Sequence, residues 1–129
     1  MRIVSTNDAP SPAGHYSQGV QSRGLLFVSG QLPVDPQTRK LVNASIEEET
    51  IRTLTNVRQI VEASGSTLQD IVKVTIYVTD IEHWPRINEA YADFFGEHRP
   101  ARAVVPVGPL HHGARIEIEA VAACNEMSA

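Results

Sequence analysis

The chain has 129 residues, of which 42% are hydrophobic, and a formal net charge of -4 at pH 7. This length fits one domain with a modest apolar core, so we expect a single domain over residues 1–129. The acidic balance and the scattered lysines and arginines exclude the basic stripe that nucleic-acid binding requires. A single cysteine excludes an internal disulfide and any zinc site built from paired cysteines.

The sequence also lacks the patterns of a membrane-spanning helix, a signal peptide and a metal site. No apolar run approaches the roughly 20 residues of a membrane-spanning helix, and the first residues lack the basic-then-apolar order of a signal peptide. The five histidines show no pair spaced to chelate one metal ion, and His111 and His112 are adjacent, so they point in different directions. We therefore predict a soluble, cytoplasmic protein without a metal site.

The first elements in chain order are a strand and a helix. Leu25 to Ser29 is a short apolar run closed by Gly30, which predicts a strand. Ser45 and Glu48 have the spacing of a capping box, in which two side chains satisfy backbone N–H groups at a helix start. A stripe of helical period then runs as far as Gly65, which ends the helix: Ile46, Thr50, Leu54, Val57 and Val61.

The rest of the chain predicts a strand, a second helix and two more strands. Alternation from Ile71 to Thr79 predicts a strand with one apolar face: Val72, Val74, Ile76 and Val78. The second helix has Pro85 in its first turn, ends at Gly96 and carries one apolar stripe: Trp84, Ile87, Tyr91 and Phe94. Two strands, Ala101 to Val107 and Ala114 to Ala122, then flank a loop rich in glycine, proline and histidine.

This order of elements predicts an α/β or α+β sandwich with two helices on one sheet. Two helices cover only one face of a sheet, yet the strand from Ala101 to Val107 is apolar at nearly every position, as if buried on both faces. Because large apolar patches are rarely left in water, we predict that other copies of the chain cover the second face.

Arg102 interrupts that apolar strand, and an arginine is rarely buried without a partner. Alternation puts Glu117 and Glu119 on one face of the last strand. Since a short loop joins the two strands, we expect them to pair as neighbours and to bring Arg102 near one of these carboxylates. Two interpretations stay open: a structural salt bridge, or a site in which Arg102 binds a substrate carboxylate and a glutamate handles a proton or a water.

Seven segments in one order and spacing resemble the RidA/YjgF family of imine deaminases over nearly the whole chain. They are GHYSQGV, VSGQLPVDPQT, NVRQIVEASG, DIVKVTIYVTD, INEAYADFF, RPARAVV and IEIEAVA. The resemblance implies an α+β, chorismate-mutase-like fold, with a mixed sheet of about six strands and two helices on one face. It also implies a homotrimer around a central β-barrel, active sites in the clefts between subunits, and no metal or organic cofactor.

The resemblance also implies roles for individual residues. Arg102, in the P-A-R motif, would bind the carboxylate of a 2-imino or enamine acid, and Glu117 would position or activate the attacking water. Val104 replaces a common cysteine, so any contact of this position with the substrate would use its backbone. Three further residues would line the pocket: Tyr16, Ser29 and Asn88.

The expected activity is hydrolysis of 2-imino acids, such as 2-iminobutanoate and 2-iminopropanoate from serine or threonine dehydratases, to 2-oxo acids and ammonia. His15 stands where the family usually has proline, and the loop VGPLHHGAR is unusual, which keeps open another imine such as 2-aminomuconate. A protein that binds 2-oxo acids without turnover, in sensing or stress, is a further alternative. A ribonuclease, a label that some family members carry, is disfavoured by the acidic charge.

Overall fold

The computed structural model describes residues 1–125, so the last four residues of the predicted domain lie outside the described part. There, six strands form one mixed sheet that packs against two α-helices. The strands are β1 (Arg2–Val4), β2 (Gly19–Ser22), β3 (Leu25–Gln31), β4 (Ile71–Val78), β5 (Ala101–Pro106) and β6 (Ile116–Ala123). The helices are α1 (Ile46–Ala63) and α2 (Trp84–Phe95). The predicted α+β class, with its six-stranded sheet and two helices, is confirmed.

The helix boundaries follow the predicted end signals. The Ser45 hydroxyl accepts a hydrogen bond of 3.1 Å from the Glu48 N–H at the start of α1. Gly65 follows this helix with φ of 95°, and Gly96 ends α2 with φ of 66°, a backbone region that favours glycine. Pro85 lies in the first turn of α2, where its missing N–H costs no hydrogen bond. No helix within residues 1–125 is long and apolar enough to cross a membrane.

The strand order is β1-β2-β3-β6-β4-β5, with β4 and β5 parallel and the other neighbours antiparallel. Strand β4 therefore lies between β5 and β6, and the prediction that the last two strands are neighbours is wrong. The reason is the connection through α2, since a helical crossover returns the chain parallel to the strand it left. Strand β5 thus takes the sheet edge, and β6 pairs with the other side of β4.

The core lies between the helices and one face of the sheet. Leu26, Ile76 and Ile118, from three different strands, are fully buried there. The predicted alternation in β4 is wrong at Val72, which is 46% exposed, whereas Ile71 is buried. The register with β6 shifts between Ile71 and Lys73, so Val72 is an extra residue that turns away from the core.

The other face of the sheet has no helix over it among residues 1–125 and exposes apolar side chains. Ile3 and Phe27, in register through Val20 of β2, are 61% and 47% exposed, and Val121 lies opposite Phe27. This uncovered face agrees with the expectation from the helix count. The apolar sequence of β5 predicts burial on both faces, but no residue of β5 is fully buried in the described chain. Strand β5 lies at the sheet edge, where it has a neighbouring strand on one side only.

Candidate functional site

Arg102 lies on β5 and extends over α2. Its guanidinium carbon is 4.8 Å from the ring centroids of both Trp84 and Tyr91, a cation–π arrangement. Nη1 donates a hydrogen bond of 2.9 Å to Oδ1 of Asn88. Within residues 1–125 Arg102 forms no salt bridge, so the predicted pairing with a glutamate of β6 is wrong. We call Arg102 and the three residues that contact it, Trp84, Asn88 and Tyr91, the arginine cluster.

The arginine cluster is open to solvent and rigidly supported. Arg102 and Asn88 are exposed, whereas Tyr91 is buried beneath them. Burial raises the pKa of Tyr91 to about 12, against a smaller opposing effect of Arg102, so the ring stays neutral. A cavity of about 380 Å³ beside the cluster is also lined by Arg99. A guanidinium with unused N–H donors can here bind a carboxylate in bidentate fashion.

Glu117 lies on the opposite, uncovered face of the sheet. Its neighbours in β6, Ile116 and Ile118, are fully buried in the helix-facing core, so alternation turns Glu117 away from the helices. The Glu117 side chain lies directly over Gly30, where a Cβ would come within 2.1 Å of Oε2. Partial burial raises the pKa of the Glu117 carboxyl; His111 opposes this shift. A carboxyl with a raised pKa is suited to taking up and returning a proton near neutral pH.

Ser29 precedes Gly30 in β3, and a hydrogen bond connects it to the loop that carries Tyr16. The Ser29 hydroxyl donates a hydrogen bond of 2.6 Å to the carbonyl of Ser17, which attaches the loop that carries Tyr16 to the end of β3. Tyr16 is 50% exposed and lines a cleft of about 500 Å³. The other polar residues of this cleft include Arg39, Lys40 and His112. We call Tyr16, Ser29, Gly30 and Glu117 the glutamate cluster.

Val104 has a packing role that its sequence position does not reveal. Its side chain packs against the hydrophobic core from β5, in register with Ile76. The expected contact of the Val104 backbone with a substrate stays a prediction.

The two clusters do not form one site within a single chain. Arg102 is in register with Val74, whose side chain is buried against the helices, whereas Glu117 is in register with Tyr77 on the other face. Strand β4 and the plane of the sheet therefore separate the two clusters. No group of three or more metal-ligating side chains in the described residues is placed to hold a metal ion.

Sequence reasoning missed Gly30 as part of this arrangement. Its only sequence signal is its place next to Ser29 at the end of a strand, which indicates a strand terminator. The contact with Glu117 depends on how β3 and β6 pair, and the two positions lie far apart in the chain.

The chain is similar in sequence and in fold to proteins of one family. Residues 6–124 match the family described as Endoribonuclease L-PSP. A RutC family protein of Pyrococcus horikoshii is 42% identical over 93% of this chain and 95% of its own length. A protein of Dermatophagoides farinae named 2-iminobutanoate/2-iminopropanoate deaminase is 40% identical, over 93% and 94%. The crystal structure of Escherichia coli TdcF with bound serine superposes with a TM-score of 0.92 at 39% identity, covering 97% of this chain and all of that one.

Proposed function

This chain belongs to the YjgF/RidA family, and we propose that it hydrolyses reactive 2-imino and enamine acids, such as 2-iminobutanoate and 2-iminopropanoate, to 2-oxo acids and ammonia. The observation that carries the proposal is Arg102, an exposed guanidinium held by aromatic rings and Asn88 and forming no salt bridge with a carboxylate of residues 1–125. The names of relatives agree: one is called a 2-iminobutanoate/2-iminopropanoate deaminase and another a reactive intermediate deaminase.

The reaction adds water to the carbon of a C=N bond and releases the nitrogen as ammonia. Arg102 binds the substrate carboxylate and so fixes the reacting carbon, which is the positioning part of catalysis. Glu117 accepts a proton from the attacking water as the C–O bond forms, and it returns this proton to the nitrogen, which has received the electron pair of the C=N bond. The hydroxyl proton of the resulting carbinolamine then passes to the nitrogen through the same carboxylate, so that the C=O bond forms as the C–N bond breaks and ammonia leaves. General acid–base catalysis of this kind contributes about 10²- to 10⁴-fold in rate.

We infer from the separation of the two clusters that two subunits share each site. We assign the arginine cluster to one subunit and the glutamate cluster to its neighbour in a homotrimer whose subunits meet through the uncovered sheet faces. The exposed apolar side chains of that face, such as Ile3 and Phe27, support the assembly, because such patches usually mark an interface.

The first test is the rate of hydrolysis of 2-iminobutanoate and 2-iminopropanoate, each generated in situ by a dehydratase or an amino-acid oxidase. We expect Arg102→Ala to abolish the acceleration because the substrate loses its anchor. Glu117→Gln should still bind a 2-oxo acid but lose about 10²-fold or more in kcat. Equal losses of binding in two folded variants would contradict these roles, and no acceleration by the folded wild-type protein would contradict the function.

Mixing the same two variants tests the shared site. If the two clusters come from different subunits, trimers reassembled from equal amounts of Arg102→Ala and Glu117→Gln contain intact sites. Random assembly makes about one site in four fully wild type, so about a quarter of wild-type activity should return. If both clusters act within one chain, the mixture stays as inactive as its components.

A second candidate substrate is a larger imine with another carboxylate, such as 2-aminomuconate. The cleft beside Tyr16 favours it, since Arg39 and Lys40 supply positive charge there. A higher kcat/KM for 2-aminomuconate than for 2-iminobutanoate would select this substrate.

The same preparations should be assayed with RNA and with 2-oxo acids. Cleavage of RNA that is lost in Arg102→Ala would indicate a ribonuclease. Binding of 2-oxo acids without turnover of any imine would indicate a non-enzymatic role.

A further inference from the structure

We propose that Gly30 is a positioning residue: its missing side chain leaves the space in which the Glu117 carboxylate is held for proton transfer. The inference rests on the proposed function, because it concerns how Glu117 meets the attacking water. It predicts that a single added methyl group at Gly30 disables Glu117 while the fold stays intact.

The pairing of β3 with β6 brings Gly30 under Glu117. Val28 is in register with Ala120 and Gln31 with Ile118, so two residues of β3, Ser29 and Gly30, lie opposite a single residue of β6. This is a β-bulge, a feature that redirects side chains and is common next to active sites. Here it directs the Ser29 hydroxyl toward the carbonyl of Ser17 and leaves Gly30 below the Glu117 side chain.

The requirement for glycine at this position is one of space and not of backbone conformation. The described glycines with positive φ are Gly24, Gly65, Gly96 and Gly113, so the backbone at Gly30 is open to other residues. A Cβ on Gly30 would lie 2.1 Å from Oε2, 3.0 Å from Cδ and 3.3 Å from Cγ of Glu117, and these are its three nearest atoms. The nearest obstacle is therefore the flexible Glu117 side chain.

Because Glu117 can rotate, it and not the sheet gives way when Gly30 is replaced. Its carboxylate then leaves the half-buried place in which desolvation favours the protonated form. The charged and titratable groups that act on Glu117 are His111 from the preceding loop, Glu119 from its own strand and Tyr77 from β4. Moving the carboxylate away from the floor of the site also removes it from the attacking water.

The experiment compares Gly30→Ala with a matched control, Gly108→Ala. A Cβ on Gly108 meets no atom within 4 Å, and its φ is not positive. We expect Gly30→Ala to lower kcat about 10²-fold with KM nearly unchanged, since Arg102 is untouched, and Gly108→Ala to leave both constants unchanged. In the Glu117→Gln background Gly30→Ala should add less than about a twofold loss, because the carboxylate is already absent. An equal loss in both backgrounds would overturn the inference.

A carbon-13 NMR titration of the Glu117 carboxyl separates this inference from the proposed function. Gly30→Ala should move its pKa down toward the usual value for a glutamate, and Gly108→Ala should leave it unchanged. If the wild type shows no imine hydrolysis and the pKa still falls, the function is wrong and the positioning stands. If the wild type is active and Gly30→Ala keeps both its kcat and the pKa of Glu117, the positioning is wrong.

If Gly30→Ala lowers the thermal midpoint of unfolding, a double variant shows whether the Glu117 side chain is the cause. Removing the obstacle with Glu117→Ala should restore the thermal midpoint of the Gly30→Ala chain to that of Glu117→Ala alone. Failure of the double variant to recover would show that Gly30 is needed for a reason other than the Glu117 side chain.

Discussion

The charged side chains of the two clusters are held by different physical means. Arg102 stays exposed and is oriented by ring faces and one amide, so its charge remains hydrated while its direction is restricted. Glu117 is instead half-buried against Gly30, and burial raises the pKa of its carboxyl. The same burial that suits Glu117 to proton transfer therefore makes its charged form costly in the folded protein.

This cost predicts how stability depends on pH. Since the pKa of Glu117 is raised on folding, its contribution to stability is complete below the usual pKa of a glutamate and is lost as pH rises through the raised value. Glu117→Gln is neutral throughout, so its free energy of unfolding should increase relative to wild type across this window and then stay level. Urea unfolding at a series of pH values and fixed protein concentration measures the difference. A difference that grows toward low pH would contradict the assigned direction.

Helix α1 is attached to the start of β6 by a buried carboxylate. Glu49 is only 5% exposed and forms an ion pair with Arg115 through two guanidinium nitrogens. Arg115 also donates a hydrogen bond of 2.9 Å to the carbonyl of Ala44, just before the helix. Glu47, also in the first turn of α1, forms a second ion pair with Arg86 of α2, and both of these side chains are exposed. The two pairs have the same chemistry and differ in burial.

We expect the buried pair to matter for stability and the exposed pair to matter little. Arg115→Ala leaves Glu49 buried without its partner, which should lower the free energy of unfolding by about 2 kcal/mol. Arg86→Ala should change it little, because exposed ion pairs remain well solvated. Urea unfolding of both variants at neutral pH makes the comparison, and a larger loss for Arg86→Ala would show that burial does not decide the effect.

At the scale of the whole molecule, the sheet has two faces of different character. One packs against α1 and α2, and the other carries the apolar row of Ile3, Val20 and Phe27 on the same face as Glu117. An apolar row beside half of a proposed site is suited to an interface that also completes the site. Oligomerisation and activity are therefore expected to fail together when this face is changed.

Phe27→Lys tests that expectation against Ile81→Lys. The two side chains are similarly exposed, 47% and 48%, but Ile81 precedes α2 and is not on the sheet. We expect Phe27→Lys to shift the protein to monomers in size-exclusion chromatography with light scattering and to lose imine hydrolysis. Ile81→Lys should keep both the assembly and the activity. An assembly that survives Phe27→Lys would place the subunit interface elsewhere.

The sequence by itself determined both helices, the strands β3 to β6 and the chemical groups of the candidate site, but its patterns did not predict β1 and β2. Alternation, helical period, the Ser45 cap and the terminal glycines act over a few residues, so they predict helices and strands without reference to the rest of the chain. The family resemblance singled out Arg102 and Glu117 in the same way, as residue types within short motifs. It could not show how these residues lie relative to each other in this chain.

Only the tertiary structure decided the strand order and, with it, the shape of the site. The insertion of β4 between β5 and β6 separates Arg102 from Glu117, and the bulge in β3 brings Gly30 against Glu117. Both depend on pairings between residues far apart in the chain, and their stability comes from the packed sheet as a whole. Local sequence patterns carry no information on such pairings, which is why they misplaced the partner of Arg102 and missed the space at Gly30.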